Sequence, residues 1–182
     1  MPLVPVNTGP TLAGMLATPS ASGYEVHLDL VQIQGESNSS AHPNEIEVAS
    51  FSMGCSNSVV MSSQGATTKG GKASVSEITV TKYTDKSSPQ LFGAVCGCQV
   101  FKTAKISVSK STGGKKPEDY LIIAMNSVII SSWQLSSPSG AGVGTETLTL
   151  KFGKINIDYK MQTAMGILVS AANCSYDLTQ GQ

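Results

Sequence analysis

From Tyr24 onward, apolar residues return at every second position in short runs, as in strands with one buried and one wet face. Tyr24, Val26, Leu28 and Leu30 alternate with Glu25, His27 and Asp29, which predicts a first strand whose polar set lies in water. Residues 35–44 read as a polar loop, after which Ile46 and Val48 resume the alternation. By Phe51, Met53 and Cys55 the apolar set has moved to the odd positions. A slip of one residue turns every side chain to the other face, so this change of phase predicts a bulge or bend. Residues 75–81 form the next predicted strand. Residues 105–110 alternate cleanly and run toward Gly113-Gly114, a hairpin-turn signal. Residues 120–125 and 128–135 are more evenly apolar, which predicts strands covered on both faces. Leu148, Leu150 and Phe152 then give way to Ile155, Ile157 and Tyr159. Gly153 sits at that switch, where a positive φ would build a bulge.

One stretch breaks the strand pattern: Thr81-Lys82-Tyr83-Thr84-Asp85-Lys86-Ser87-Ser88-Pro89-Gln90-Leu91. Ser87-Ser88-Pro89-Gln90 fits a capping box, with the Ser87 hydroxyl accepting from a helical N–H and Gln90 reaching back. Such a cap is worth about 1 kcal/mol. Pro89 falls in the first turn, where its missing N–H costs nothing. Leu91, Ala94, Val95 and Cys98 share a helical face, and Gly97 marks the exit. The whole pattern predicts a mainly β fold: a closed or nearly closed β-barrel of two packed sheets, flanked by one short helix over about residues 88–97. A helix of about ten residues, roughly 15 Å long, is too short to run through the core. Residues 1–23, with Pro2, Pro5, Pro10 and Pro19 among Gly, Thr and Ser, predict an arm outside the sheet, leaving 24–182 as a single domain.

Composition narrows the function. Charged residues are 13% of the 182, about half the usual share of roughly 25%, and the net charge is zero. No basic excess exists to neutralise phosphates, so a nucleic-acid partner is not expected. No apolar run approaches the roughly 18 residues of a membrane span, so membrane insertion is not expected either. The first 23 residues lack the charged start of a secretory signal, so any export is expected to use another route. Cys55, Cys96, Cys98 and Cys174 include a single close pair, Cys96-Gly97-Cys98, and no second pair at metal-ligand spacing. They read as buried or half-buried thiols in a reducing cytosol. No metal or cofactor is expected. The Asn38-Ser39-Ser40 and Asn173-Cys174-Ser175 matches to a glycosylation pattern read as chance without such a signal.

Catalytic chemistry is thin. His27 and His42 are the two imidazoles, one on the predicted polar face and one in a loop, and both read as ordinary solvated or hydrogen-bonded residues. No Gly-x-Ser-x-Gly elbow occurs. Ala66-Thr67-Thr68-Lys69-Gly70-Gly71-Lys72-Ala73 nearly spells a phosphate loop, but Ala66 and Ala73 replace its glycine and its hydroxyl, and a strand follows. Glu45 and Glu47 share a strand face, where a solvated or interface-facing edge outweighs a glycosidase pair. An enzyme is therefore not expected. The alternative from another class is a monomeric β-barrel binding module for a small ligand or glycan, with an aromatic-lined mouth.

Several blocks in order resemble the haemolysin-coregulated protein (Hcp) family, the tube subunits of bacterial type VI secretion. They are Gly35-Glu36-Ser37, His42-Pro43-Asn44-Glu45-Ile46-Glu47-Val48-Ala49-Ser50-Phe51-Ser52-Met53-Gly54, the helix-bearing stretch above, Val128-Ile129-Ile130-Ser131-Ser132, and Glu146-Thr147-Leu148-Thr149-Leu150-Lys151-Phe152-Gly153-Lys154-Ile155. Ser175-Tyr176-Asp177-Leu178 matches the family's terminal strand more loosely. The likeness covers about residues 24–180. The arm is extra, the charge is lower, and the 161–174 connection is more apolar than in the family. The resemblance implies a homohexameric ring, rings stacking into a hollow tube, and partnership with a contractile sheath, a spike and effector proteins carried in the lumen. It also implies assembly in the bacterial cytoplasm and export without a cleaved signal. Residues 56–71, uncharged before Lys69, then become a candidate inter-ring contact loop through Val59, Val60, Met61, Gln64 and Lys69. The arm is a second candidate contact. Gln90, Gly93 and Gly97 form a candidate helix surface toward a neighbour or the lumen.

Overall fold

The computed structural model describes residues 23–58, 73–111, 116–137 and 142–180. Most of the arm, the contact loop with Val59, Val60, Met61, Gln64 and Lys69, and the Gly113-Gly114 turn lie outside the described residues. In chain order the elements are β1 (Tyr24–Leu30), β2 (Ile46–Glu47), β3 (Ser50–Ser52), β4 (Cys55–Asn57), β5 (Ala73–Val75), β6 (Ile78–Tyr83), α1 (Ser88–Cys96), β7 (Val100–Lys110), β8 (Glu118–Ser136), β9 (Thr145–Lys151), β10 (Lys154–Gln162) and β11 (Leu168–Asp177). The main sheet runs β2-β1-β7-β8-β9-β6-β3, with β10 added to β8 and β11 to β10. A small second sheet pairs β4 with β5.

The two edge strands of that path, β2 and β3, are consecutive in the chain. Between them the Val48 N–H donates to Val26 O at 2.9 Å and the Ala49 N–H to Thr81 O at 2.8 Å. One bent stretch therefore serves both edges, which nearly closes the barrel and removes two open edges. This is the bend that the change of phase predicts. Ile46 and Val48 are buried, while Phe51 and Met53 pack partly against the same core. Leu28, Ile78, Val80, Ile106, Ile123, Leu148 and Leu150 fill its centre. The strand expected over 75–81 is split. Ser76 and Glu77 separate β5, paired to β4, from β6, paired to β3 and β9.

The long strand β8 corrects another expectation. Its second half is not covered on both faces: Ile129 is 36% and Leu135 50% exposed, and Val100, paired opposite Ile129, is 62% exposed. No second layer lies over these side chains among the described residues. At the turn from β9 to β10 the positive φ falls not on Gly153 but on Ser127 of the strand beside it, at 53°. Space does not demand glycine at 153 either: its N–H donates to Asn126 O at 3.0 Å, and a Cβ there would make an ordinary contact at 3.4 Å from the Ser127 Cβ.

Helix α1 flanks the sheet against β8, burying Leu91 and Ala94, with Phe92 edge-on to Trp133 at 5.4 Å. Pro89 sits in the first turn as expected. The capping box does not form. Ser87 makes no side-chain cap bond, because its hydroxyl and N–H both donate to Asp85 Oδ1. At the far end the left-handed residue is Cys98, at φ 48°, rather than Gly97. The Cys98 N–H donates to Val95 O and the Gln99 N–H to Ala94 O, the two bonds of a Schellman ending. Cys98 is thereby exposed instead of continuing the buried face, and Cys55, Cys96 and Cys174 are exposed too, so none of the four is the buried or half-buried thiol expected from sequence.

Candidate functional site

Two buried polar clusters and one exposed apolar hairpin concentrate the chemistry of this chain. The first cluster explains the Thr81–Leu91 stretch. Lys82 on β6 faces Glu146 on β9 in register, and both are fully buried. The Lys82 ammonium donates to Tyr83 O at 2.6 Å, to Asp85 Oδ1 at 2.9 Å and to Glu146 Oε2 at 3.3 Å. The Trp133 indole N–H donates to the same Glu146 oxygen at 3.1 Å. Asp85 in turn holds Ser87 at the helix start, and its own N–H donates to Ser88 Oγ at 3.1 Å. A buried charge is tolerable only when paired and hydrogen-bonded. This cluster thus joins the helix start to β6, β8 and β9.

The second cluster corrects the placing of His27 on a wet face, while His42 is hydrogen-bonded, as one of the two expected readings had it. His27 and His42 are buried, 2% and 3% exposed, and their rings stack at 4.6 Å with 20° between planes. The loop after β1 folds back across that strand's polar face. The Gly35 N–H donates to Asn44 O at 2.8 Å and the Ser37 N–H to Glu45 O at 3.1 Å. A Cβ on Gly35 would lie 2.3 Å from Glu45 O, so only glycine fits this close approach. The His42 ring nitrogens meet Glu45 Oε2 at 3.1 Å and Asp119 Oδ1 at 2.7 Å, while Ser39 Oγ donates to Glu25 Oε2 at 2.9 Å. His27 lies opposite Ser107 across β1 and β7, and neither His27 Nδ1 nor Ser107 Oγ has a hydrogen-bond partner among the described residues. Desolvation, followed by the neighbouring His42, holds the His27 pKa below its ordinary value of 6.5. Glu45 and Glu47 do not act together: Glu45 holds His42 and approaches Lys105 at 3.6 Å, whereas Glu47 is exposed. Both clusters tie one backbone element to another.

The hairpin of β10 and β11 was read from sequence as a connection over 161–174. It is instead paired strand on both sides of a turn, where the Thr163 N–H donates to Ile167 O and the Gly166 N–H to Thr163 O, both at 2.9 Å. β11 pairs with β10 alone among the described residues. Met161, Met165, Ile167 and Val169 on this hairpin are 54%, 88%, 59% and 41% exposed. The apolar residues at 161–174 that obscured the strand alternation in the sequence are these exposed side chains. Gln90, Gly93 and Gly97, the predicted helix surface, are all exposed, beside Phe92. An open groove of about 730 Å³ runs beside the helix start, lined by Asp29, Gln34, Asn44, Glu45, Lys86 and Gln90 among others. It has no aromatic wall of the kind the ligand-binding alternative requires.

Residues 27–159 match the family model described as type VI secretion system effector, Hcp. The chain is 34% identical to Protein hcp1 of Pseudomonas aeruginosa over 142 residues, which is 78% of this chain and 86% of that protein. Its fold is similar to a solved type six secretion system protein with a TM-score of 0.80, at 26% identity, covering 87% of this chain and 98% of the other. A type VI secretion system effector from Yersinia pestis, also 26% identical, gives a TM-score of 0.63 over 84% of this chain and 98% of that one.

Proposed function

The chain belongs to the Hcp family of type VI secretion proteins, and on that premise we propose that it is a tube subunit whose copies close six-membered rings. The rings stack into a hollow tube that a contractile sheath expels and that carries effector proteins in its lumen. Assembly takes place in the bacterial cytoplasm, and the tube leaves the cell with the apparatus. The role is structural, and the buried histidine and lysine clusters serve the fold rather than a reaction.

The observation that carries this reading is the hairpin of β10 and β11. A single protomer leaves Met165 88% and Ile167 59% exposed beside a strand edge that has no partner among the described residues. An apolar surface joined to an open edge favours association with another copy. Contacts between different patches of identical copies are the kind that close rings or grow filaments. Burial of one large apolar side chain is worth about 1.5–3 kcal/mol. The Met165→Glu/Ile167→Glu double variant is therefore expected to lose roughly 3–6 kcal/mol per contact and to sediment as monomers. Rings that persist in that variant would remove the hairpin from the assembly surface.

A further inference from the structure

The loop over residues 35–44 is a small folded unit laid on the polar face of β1. Its own backbone bonds close it: the Gly35 N–H donates to Asn44 O at 2.8 Å, the Asn44 N–H to Ser37 O at 2.9 Å and the His42 N–H to Ser39 O at 3.2 Å. Polar side chains attach it to the barrel at three points. Ser39 Oγ donates to Glu25 Oε2 on β1, His42 Nε2 meets Asp119 Oδ1 on β8, and Glu36 Oε1 accepts from the Lys86 N–H beside the helix start. The central attachment is the His42 ring itself, stacked on His27 at 4.6 Å.

That stack takes one proton well and a second one badly. A protonated His42 donates from both nitrogens at once, to Glu45 Oε2 at 3.1 Å and to Asp119 Oδ1 at 2.7 Å. A proton on His27 as well would put a second charge against the first ring, away from water. The groups facing His27 are already engaged. On β1, Glu25 holds Ser39. On the loop side, Glu45 holds His42 and approaches Lys105 of β7 at 3.6 Å, and on β8 Asp119 holds His42. Ser107, in register on β7, brings a neutral hydroxyl, and neither it nor His27 Nδ1 has a partner among the described residues. Burial, then His42, accordingly hold the His27 pKa below 6.5 against the pull of Glu25, Glu45 and Asp119.

We propose that residues 35–44 form a proton-operated flap: a proton on His27 drives His42 out of the stack and lifts the loop off β1. Above about pH 6.5 His27 is neutral and the flap stays closed. Below that value opening gains ground, because the open form returns both rings to water. Opening uncovers the polar face of β1 and reshapes the groove beside the helix start, whose wall includes Pro43, Asn44 and Glu45. It also loosens β2, which follows Glu45 directly and forms one edge of the main sheet. The flap belongs to a single chain, so it stands whether or not copies assemble into rings.

The test is amide hydrogen exchange of the full chain at pH 7.5, 6.5 and 5.5, corrected for the intrinsic pH dependence of exchange. An opening linked to one proton weakens protection by up to about tenfold per pH unit. Protection over residues 35–45 is expected to fall about fivefold to tenfold between pH 7.5 and 5.5. Peptides of β7, paired to β1 on one side and β8 on the other, should keep theirs. His27→Phe keeps a ring against His42 but takes no proton, and should make loop protection indifferent to pH. Glu25→Gln keeps an oxygen for Ser39 and removes one facing charge, so it should move the transition to lower pH even if His27→Phe folds poorly. Loop protection that does not change with pH in the parent, an equal loss in β7, a pH response that survives His27→Phe, or a transition unmoved in Glu25→Gln would each overturn the proposal.

Discussion

At the scale of single residues, the two buried clusters give opposite kinds of prediction. His27 in the folded state takes up a proton less readily than in the unfolded chain, because burial and then His42 lower its pKa. Stability tied to this ring is therefore intact above about pH 6.5 and falls as the pH drops below that value. The carboxylates facing the pair, Glu25, Glu45 and Asp119, remain in a His27→Phe variant, which also keeps an aromatic ring against His42. Urea midpoints measured from pH 7.5 to 5.5 should fall more for the parent than for His27→Phe. Equal slopes would show that His27 does not titrate against the fold. Lys82 predicts a larger effect. Lys82→Met leaves Glu146 buried without its cation and should cost about 3–5 kcal/mol in chemical unfolding, whereas Lys82→Met/Glu146→Leu should recover most of that loss. Neither cluster was legible from sequence. The odd positions of β1 read as a wet face because a folded-back loop leaves no periodic signal, and Lys82 alternates like any outward lysine.

At the scale of elements, the short helix illustrates how far local rules reach. Pro89 and the apolar spacing of Leu91 and Ala94 located it, since both act within one turn. Its ends did not follow, because Asp85, held by the buried Lys82, competes for Ser87, and the chain reverses one residue late, at Cys98. A non-glycine residue in the left-handed region costs about 1–2 kcal/mol, so Cys98→Gly is expected to stabilise the protein by about 1 kcal/mol, read as a higher urea midpoint. No change there would mean that the cysteine side chain makes compensating contacts. The bend between β2 and β3 was legible because a phase shift is written in the order of apolar residues. The hairpin of β10 and β11 was not, since exposed apolar positions blur the alternation that marks a strand. For the candidate loop, deletion of residues 59–70 is expected to leave rings intact and prevent their stacking. Tubes in negative-stain images of that variant would take this role away from Val59, Val60, Met61, Gln64 and Lys69.

At the scale of the whole molecule, the surface makes sense as that of a subunit. Few charges, an exposed apolar hairpin and the open outer face of Val100, Ile129 and Leu135 would be poorly suited to a solitary barrel. On the proposed reading, the same surface accounts for the one place where a strand expected to be doubly buried is not: another copy would cover it. The most direct measurement is the native mass of the full chain at micromolar concentration. The account predicts a species of six times the 18.9 kDa chain, visible as six-fold rings in negative stain. A purely monomeric species at 18.9 kDa under the same conditions would contradict it.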